Sequence, residues 1–198
     1  MKDNLVIIGA GGHGLIAYDI AKDIYKRIIF LDDNLNLQNV SGTTKSYKKY
    51  INDSDFFVAI GENEKRKEIV LSLKNVKFAT LIHRKAIVSS LCKIGEGTIV
   101  CAGAVVCAKS IIGKHCILNS LSSVDHNSEI GDFCHVSVNS HIAGDCYISN
   151  NTLLGIGSNV INSINICPNV TIGAGAVVIN NIKKSGIYFG IPAKLKEK

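Results

Sequence analysis

The chain has 198 residues and a formal net charge of +6, with 46% hydrophobic residues, 6% aromatic residues and no Trp. The positive charge forms no basic stripe interleaved with aromatic side chains, which argues against a nucleic-acid-binding surface and suits a small anionic ligand. No apolar run approaches the ~20 residues of a membrane-spanning helix, and the apolar part of the N-terminus is too short for a secretion signal. We therefore expect a cytoplasmic protein without a membrane span.

The first part of the chain alternates strand-like and helix-like segments. Strands are expected over residues 4–8, 27–31 and 55–61, a helix follows each of the first and third strands, and residues 76–82 lead into the second half. Strands that alternate with helices are typical of a parallel sheet. We predict a small Rossmann-like α/β domain over residues 1–81. The apolar face of its first helix is expected to comprise Leu15, Ala17, Ile20, Ala21 and Ile24.

A glycine-rich loop, "GAGGHG", directly follows the first strand. Gly9, Gly11 and Gly14 match the G-x-G-x-x-G fingerprint, and an acid follows about twenty residues later. The loop opens a helix, whose N-terminal amides favour phosphate oxygens. An NAD site needs two mononucleotide-binding halves, whereas this domain offers about one. The loop predicts a nucleotide diphosphate ligand, with NAD or a structural turn as alternatives. His13 within it either caps the helix or contacts the ligand.

From residue 82 onward, an aliphatic residue recurs every sixth position without interruption. A fixed short period means stacked coils that bury a continuous core. Six residues fit one short strand and one turn, and three such units close a coil of eighteen residues. The aliphatic residues are expected to point inward, and small residues four positions later fit the corners. The aliphatic series is Ile82, Val88, Ile94, Val100, Val106, Ile112, Leu118, Val124, Ile130, Val136, Ile142, Ile148, Leu154, Val160, Ile166, Ile172 and Val178.

The seven cysteines fit the same repeat. None belongs to a C-x-x-C pair, so no zinc site or other metal site is predicted. Disulfides are not expected in the cytoplasm. Four of the cysteines occupy the small inward position and the other three follow an aliphatic residue, so all are expected to act as small hydrophobic side chains.

Residues 82–182 resemble the hexapeptide-repeat acyltransferases. The resemblance implies a left-handed parallel β-helix, which we assign to residues 82–198 together with a C-terminal tail. It also implies a homotrimer that binds an acyl-coenzyme A in grooves between neighbouring β-helices.

The whole chain resembles the sugar O- and N-acyltransferases of sialic-acid and bacterial glycan pathways, and the PglD type in particular. The stretches that carry this resemblance are "GAGGHGL", "FLDD", "DFFVAIGENEKRK", "ILNSLSSVDHNSEIGDFCHVSV" and "GIPAK". The resemblance implies an acetyl-CoA-dependent N-acetyltransferase, and the acceptor it implies is the amino group of a UDP-linked 4-amino-4,6-dideoxy sugar. O-acetylation of a sialic acid or a related sugar is the alternative activity. A trimeric structural module that senses a nucleotide is the non-enzymatic alternative.

The resemblance also implies roles for individual residues. Nucleotide-sugar contacts fall on Gly11, Gly12, His13, Asp32, Asp33, Gly61 and Glu64. The catalytic base falls on His126, and acetyl-CoA contacts fall on His135, Ile156 and Ala174. This chain departs from the family pattern at two of the positions that concern acetyl transfer. Asn127 stands where relatives carry an acid that raises the basicity of the histidine, and Ala174 stands where glycine is usual.

His126 suits general base catalysis because the unperturbed pKa of histidine lies near working pH. No serine or cysteine with a base at motif spacing indicates an acyl-enzyme, so direct attack by the amine is favoured. Either Asp125 substitutes for the missing acid or the carbonyl of Asn127 orients the ring, and we favour Asn127. His115 and His141 are expected to be surface turn residues, and His83 is expected to be structural.

A column of small side chains is also expected along the coils. Asn119, Ser137, Gly155 and Gly173 lie eighteen residues apart and should stack on successive coils. This column would either admit the pantetheine arm of coenzyme A or pack a corner.

Overall fold

The computed structural model describes residues 2–196, and its contacts divide the chain into a first unit of residues 1–82 and a second unit of residues 83–198. The first unit contains five strands, two α-helices and one 3-10 helix. In chain order they are β1 (Lys2–Ile8), α1 (Gly12–Ala21), β2 (Tyr25–Leu31), the 3-10 helix (Thr44–Tyr50), β3 (Ser54–Val58), α2 (Asn63–Ser72), β4 (Lys77–Phe78) and β5 (Leu81–Ile82).

Four parallel strands form the sheet of the first unit in the order β2-β1-β3-β4. Ile8, the last residue of β1, pairs with Leu31 on one side and Val58 on the other. The loops that follow these three strands therefore leave the sheet at one edge. Leu5 to Ile8 are at most 1% exposed, as expected for a strand buried on both faces. The predicted Rossmann-like domain is confirmed.

Two details of the first unit differ from the sequence prediction. Leu15 is 60% exposed, so its assignment to the buried face of α1 was wrong. Gly14, Ala17 and Ile20 face inward, and Leu15 lies about 100° further round the helix from Gly14. The 3-10 helix was not predicted because its lysine-rich sequence buries only Tyr47.

The second unit is a left-handed parallel β-helix of hexapeptide repeats, as predicted. Each hexapeptide repeat up to Val178 contributes one strand of two or three residues, which pairs in parallel with a strand eighteen residues away. Two further strands follow the repeats. The strands are β6 (Ile87–Val88), β7 (Lys93–Ile94), β8 (Ile99–Val100), β9 (Val105–Val106), β10 (Ile111–Ile112), β11 (Ile117–Leu118), β12 (Ser123–Val124), β13 (Glu129–Ile130), β14 (His135–Val136), β15 (His141–Ile142), β16 (Tyr147–Ile148), β17 (Leu153–Leu154), β18 (Asn159–Val160), β19 (Asn165–Ile166), β20 (Val170–Ile172), β21 (Val177–Val178), β22 (Gly186–Phe189) and β23 (Lys194–Leu195).

These strands line three faces of the coil, one per sheet. We call them face one (β8, β11, β14, β17, β20 and β22, with β23 antiparallel at its end), face two (β6, β9, β12, β15, β18 and β21) and face three (β7, β10, β13, β16 and β19). The core contains the inward aliphatic residues from Val100 to Val178, none more than 2% exposed. The predicted inward register fails at its start, because Ile82 is 39% exposed and Val88 and Ile94 are only half-buried. Ile82 belongs to the first unit, and β6 and β7 are edge strands.

Small side chains satisfy the backbone at the corners of the coils. Thr98 Oγ1 donates to the carbonyl of Gly113 over 2.8 Å, and the Sγ of Cys116 lies 3.0 Å from the carbonyl oxygen of Gly131. All seven cysteines are free thiols. Within residues 2–196, no helix is long and apolar enough to cross a bilayer, and no cluster of three or more His, Cys, Asp or Glu side chains could hold a metal ion.

Candidate functional site

The glycine loop between β1 and α1 has two kinds of glycine. Gly9 has φ +103°, and a Cβ there would lie 2.8 Å from the carbonyl oxygen of Ala59. A Cβ on Gly14 would collide with the carbonyl oxygen of Gly9. At Gly11 and Gly12, by contrast, an added Cβ would meet nothing within 4 Å. The first pair is therefore required by the fold, whereas the second pair leaves open space at the N-terminus of α1, where an anion binds favourably.

His13 lies in the first turn of α1 with its ring partly buried. Its Nε2 is shielded from solvent and has no hydrogen-bond partner among residues 2–196. Burial, together with the positive charge of Arg66, lowers the pKa of His13 to about 4. His13, which follows the two open glycines in the chain, is therefore neutral near pH 7.

The two acids after β2 brace the same edge of the sheet. The carboxylate of Asp32 accepts hydrogen bonds from the backbone N–H groups of Ala10 and Asn34, both over 2.8 Å. The carboxylate of Asp33 accepts one from the N–H of Thr44 over 2.9 Å. Asp32 thus ties the glycine loop to the end of β2, a role beyond the nucleotide contact expected from the sequence.

The loop after β3 is held by a buried arginine that the sequence analysis did not identify. Arg66 is 1% exposed. It donates to the carbonyl of Ile60 over 2.9 Å, to that of Gly61 over 3.0 Å and to Oδ1 of Asn63 over 2.8 Å. Gly61 is exposed and open to a ligand, and Glu64 is exposed in the first turn of α2. The sequence signal for its burial was its position in α2, because Arg66 lies one helical turn before the buried Val70 and so shares the same face of the helix.

A second cavity in the first unit is an alternative candidate for the nucleotide site on the ground of its volume. It has a volume of about 510 Å³ and is lined by residues at the amino ends of β1, β3 and β4, including Asp3, Asp53, Asp55 and Lys77. Ligands of open α/β sheets bind outside the carboxyl ends of the strands. The glycine-loop edge is therefore the better candidate for the nucleotide.

In the second unit, His126 lies exposed on the turn between β12 and β13. Its ring Nδ1 lies 3.1 Å from Nδ2 of Asn127, and the same Nδ2 donates to Oδ1 of Asp145 over 3.1 Å. The amide nitrogen of Asn127, rather than the expected carbonyl oxygen, therefore faces the ring. The reason is Asp145, which the sequence analysis did not single out and which only accepts hydrogen bonds when ionised.

The carboxylate of Asp125 binds the backbone of the turn. Oδ1 accepts the backbone N–H of His126 over 2.7 Å. That hydrogen bond, and a second one from the Cys107 thiol, hold the pKa of Asp125 below its ordinary value. The same contact with the carboxylate adds to the effect of burial in raising the pKa of Cys107. Asp125 therefore fixes the backbone of the turn, and Cys107 remains a protonated thiol.

Gly144 lies directly against the imidazole of His126. A Cβ at this position would lie 2.6 Å from Cε1 and 2.8 Å from Nε2 of the ring. Gly144 stands eighteen residues after His126, which is the same position on the next coil. The absence of a side chain here leaves the space that the ring occupies.

The residues expected to contact acetyl-CoA lie elsewhere on the coil. His135 is half-buried on β14 of face one, with its Nε2 3.2 Å from Nδ2 of Asn119. Ile156 is 60% exposed and stacks one coil below the exposed Ala174, because the N–H of Gly175 donates to the carbonyl of Ile156 over 2.8 Å. These two residues occupy the corner between faces one and two, whereas His126 occupies the corner between faces two and three.

A groove runs over face two between these corners. It has a volume of about 350 Å³, and its polar lining comprises Cys107, Ser123, Asp125, His141 and Asn159. The Nδ1 of His141 lies 2.8 Å from Oγ of Ser123. The prediction that His141 is a surface turn residue was wrong, because it lies half-buried on β15 and faces this groove.

Two other histidines have packing roles. His115 is 5% exposed and stacks on Phe133 with ring centroids 5.2 Å apart. It occupies a turn, but its predicted surface position was wrong, because turn residues of successive coils cover one another. His83 accepts the N–H of Lys85 at Nδ1 over 3.0 Å, a local turn contact.

Comparison with known proteins reveals close relatives. The PglD N-terminal domain family matches residues 4–73. The acetyltransferase domain of PglB from Neisseria gonorrhoeae FA1090, solved in complex with acetyl coenzyme A, is 34% identical with a TM-score of 0.94, and the match covers 99% of this chain and 100% of that chain. PerB from Caulobacter crescentus, solved with CoA and GDP-perosamine, is 30% identical with a TM-score of 0.93, covering 98% of this chain and 97% of that chain.

These matches extend over both units. The glycine-loop edge lies in the part of the chain that the PglD N-terminal domain family matches. The β-helix with the His126 turn lies in the part that aligns with the solved acetyltransferases. The chain therefore belongs to the PglD-type family of acetyl-CoA-dependent sugar N-acetyltransferases, within the hexapeptide-repeat acyltransferases.

Proposed function

We propose that the protein transfers the acetyl group of acetyl-CoA to the amino group of a nucleotide-linked 4-amino-4,6-dideoxy sugar in bacterial glycan biosynthesis, with a UDP-linked sugar favoured. His126 is the general base. The observation that carries the proposal is the exposed turn that presents the His126 imidazole between Asn127 and Gly144. An exposed imidazole held on both sides by its own fold suits proton transfer to or from a bound ligand.

Transfer proceeds by direct attack. The amine nitrogen forms a bond to the thioester carbonyl carbon, His126 takes the proton that the nitrogen loses, and the carbon–sulfur bond breaks to release CoA thiolate. Cys107 is the cysteine that lines the groove, and its raised pKa makes it a poor nucleophile. An acyl-enzyme on this thiol is therefore disfavoured.

The nucleotide end of the acceptor binds at the glycine loop. The open space at Gly11 and Gly12 and the N-terminus of α1 favour a diphosphate. Gly61, in the loop after β3, and Glu64, in the first turn of α2, flank the bound sugar nucleotide. Asp32 and Asp33 bind its base or ribose. The unsatisfied Nε2 of His13 supplies a polar contact to the diphosphate or the sugar. The relative from Caulobacter crescentus is solved with GDP-perosamine, which adds GDP to UDP and dTDP as nucleotides to test.

Acetyl-CoA binds along the corner of Ile156 and Ala174, with His135 in support. Since this corner and the corner of His126 are separated by face two, we propose that neighbouring copies complete the site in a cytoplasmic homotrimer. Sedimentation equilibrium should give three times the chain mass of 21.3 kDa. A fully active monomer would contradict this arrangement.

The proposed activity is tested with purified protein, acetyl-CoA and a panel of UDP-, dTDP- and GDP-linked amino sugars. Thiol release and product mass report transfer. A product acetylated on oxygen, or transfer to sialic acid alone, would replace N-acetylation by the alternative activity. Absence of transfer to every sugar, with nucleotide binding retained, would favour a sensing module.

The His126→Ala variant tests the base. We expect kcat to fall by about 10²–10⁴-fold, the usual contribution of general acid–base catalysis, while both substrates still bind. The His83→Ala variant is the control, because the side chain of His83 makes a local turn contact. If kcat of His126→Ala falls by less than about threefold at saturating acceptor, the loss is too small for general base catalysis. That result would remove His126 from the mechanism.

A further inference from the structure

Asn127 and Asp145 occupy the same turn position on two successive coils. Both residues have positive φ, +56° and +59°, a conformation that Asn and Asp tolerate better than most residues. The N–H of Asp145 donates to the carbonyl of His126 over 3.0 Å. This backbone hydrogen bond joins the turn that carries Asp145 to the turn that carries His126.

The side-chain contacts between these turns determine how the Asn127 amide is oriented. Nδ2 of Asn127 donates to Oδ1 of Asp145 over 3.1 Å and lies 3.1 Å from Nδ1 of His126. An ionised carboxylate only accepts hydrogen bonds, and an amide nitrogen only donates them. The contact with Asp145 therefore keeps the amide nitrogen, with its second N–H, on the side of the imidazole.

We propose that Asp145 is a positioning residue for His126, acting through the Asn127 amide to hold the imidazole of the free enzyme in the tautomer that carries its proton on Nε2. Nδ1 accepts the N–H of Asn127, and a neutral imidazole that accepts at one nitrogen is protonated at the other. Asp125 acts on the backbone of the turn instead, because its Oδ1 accepts the N–H of His126.

The inference rests on the proposed function of His126 as base and deepens it. Nδ1 faces Asn127, so Nε2 is the nitrogen that receives the proton from the amine. Nε2 has a free lone pair only when Nδ1 carries the proton, and this requires the Asn127 amide to turn by about half a rotation and present its carbonyl oxygen. That turn breaks the hydrogen bond to Asp145. Asp145 therefore holds the free enzyme away from the tautomer that reacts.

The carboxylate and the amide can be exchanged in a matched variant. In Asn127→Asp combined with Asp145→Asn, the carboxylate stands next to the ring and accepts Nδ1–H, while the amide at position 145 donates to it. Both substitutions keep residue types that suit positive φ. The ¹⁵N spectra of the ring nitrogens of the free protein, recorded above the imidazole pKa, report the tautomer directly. The His126 signals are those lost in His126→Ala.

In the native protein we expect the proton on Nε2, and in the exchanged variant we expect it on Nδ1. The acid limb of kcat/KM should also rise by about one pH unit in the exchanged variant, because a carboxylate beside the ring stabilises the imidazolium. Asn127→Asp alone places two carboxylates side by side and should lower the thermal unfolding temperature, which Asp145→Asn then restores. The control Glu129→Gln removes an exposed carboxylate three residues from His126 and should leave the tautomer unchanged.

The same tautomer in the native protein and the exchanged variant would overturn the proposal, and so would an equal shift in Glu129→Gln. If the exchanged variant fails to fold, Asp145→Gly provides the test, since glycine suits the positive φ. Its ring spectrum should move from the Nε2–H form toward a tautomer mixture, and an unchanged spectrum would contradict the proposal. These spectra need no substrate, so they are independent of the kinetics of His126→Ala that test the base.

Discussion

Replacing Gly144 by alanine should displace the imidazole of His126, the proposed general base, without disturbing the coil. The added Cβ would lie 2.6 Å from Cε1 of His126, and ordinary van der Waals contact begins at 3.4 Å. The ring must therefore retreat by about 0.8 Å. The three atoms nearest to the new methyl group all belong to the His126 ring, which is the end of an exposed side chain. The φ of Gly144 lies outside the left-handed range, so alanine fits the backbone.

The expected cost follows from the size of this displacement. A misplacement of about 1 Å in a catalytic group costs about 10²-fold in rate, so we expect Gly144→Ala to lower kcat by about 10–100-fold. The Michaelis constants should change little, because neither the glycine loop nor the corner of Ile156 moves. Initial rates of thiol release at saturating acceptor measure kcat, and a thermal melt checks the fold.

A double-mutant cycle with His126→Ala separates this mechanism from general damage. Once the ring is removed, the methyl group at position 144 has space and should cause no further loss. Residues that act through one contact show such non-additivity. A loss from Gly144→Ala that is equally large in the His126→Ala background would refute the reasoning, as would full activity of the single variant.

Three further predictions test the fold and the nucleotide loop. Val136 is 0% exposed in the β-helix core, so Val136→Asp should prevent folding or be severely destabilising, and a soluble, folded variant in circular dichroism would contradict the register. Gly12→Val should fold, because a Cβ there meets nothing within 4 Å, and should raise the Michaelis constant for the sugar nucleotide far more than that for acetyl-CoA. Equal effects on both Michaelis constants would remove the loop from the nucleotide site. In the control Gly14→Ala, the new Cβ collides with the Gly9 carbonyl, so this variant should instead unfold the first unit. The pKa of His13 falls from 6.5 in an exposed histidine to about 4, so the unfolded chain takes up the proton first as the pH falls. Stability that is present above pH 6.5 is therefore lost as the pH falls toward 4. His13→Gln should make the thermal unfolding temperature depend less on pH over this range, and an unchanged pH dependence would contradict the burial of the ring.

The β-helix was the most predictable part of the chain because its period is a property of the sequence itself. An aliphatic residue at every sixth position can point inward only if the chain turns once per repeat, and Val100 through Val178 do point inward. The prediction failed at Ile82, Val88 and Ile94, where covering neighbours decide burial. Periodicity reports which residues share a direction and gives no account of what lies over them.

The glycine loop was predictable for a different reason. Gly9 and Gly14 are required by backbone geometry, and that requirement is visible as a spacing. Arg66 was harder to find, because a charged residue is normally solvated. Its burial is offset by hydrogen bonds to two carbonyls of the loop and to Asn63 at the start of α2. Leu15 shows the converse, since its apolar side chain gave no sign that the sheet lies on the Gly14 side of the helix.

At the candidate active site, the sequence identified His126 and Asn127, which are neighbours in the chain, and missed Gly144 and Asp145, which are neighbours only in space. The repeat period could have identified these two residues, because residues eighteen apart stack on successive coils. Writing the sequence in rows of eighteen places Gly144 under His126 and Asp145 under Asn127. An acid is therefore present on the next coil, where its carboxylate contacts the Asn127 amide rather than the imidazole. The sequence does not give the orientation of the Asn127 amide, because that orientation depends on which neighbouring atoms accept and which donate hydrogen bonds. In a solenoid enzyme, the partners of a catalytic residue should be sought one coil above and below it before they are sought along the chain.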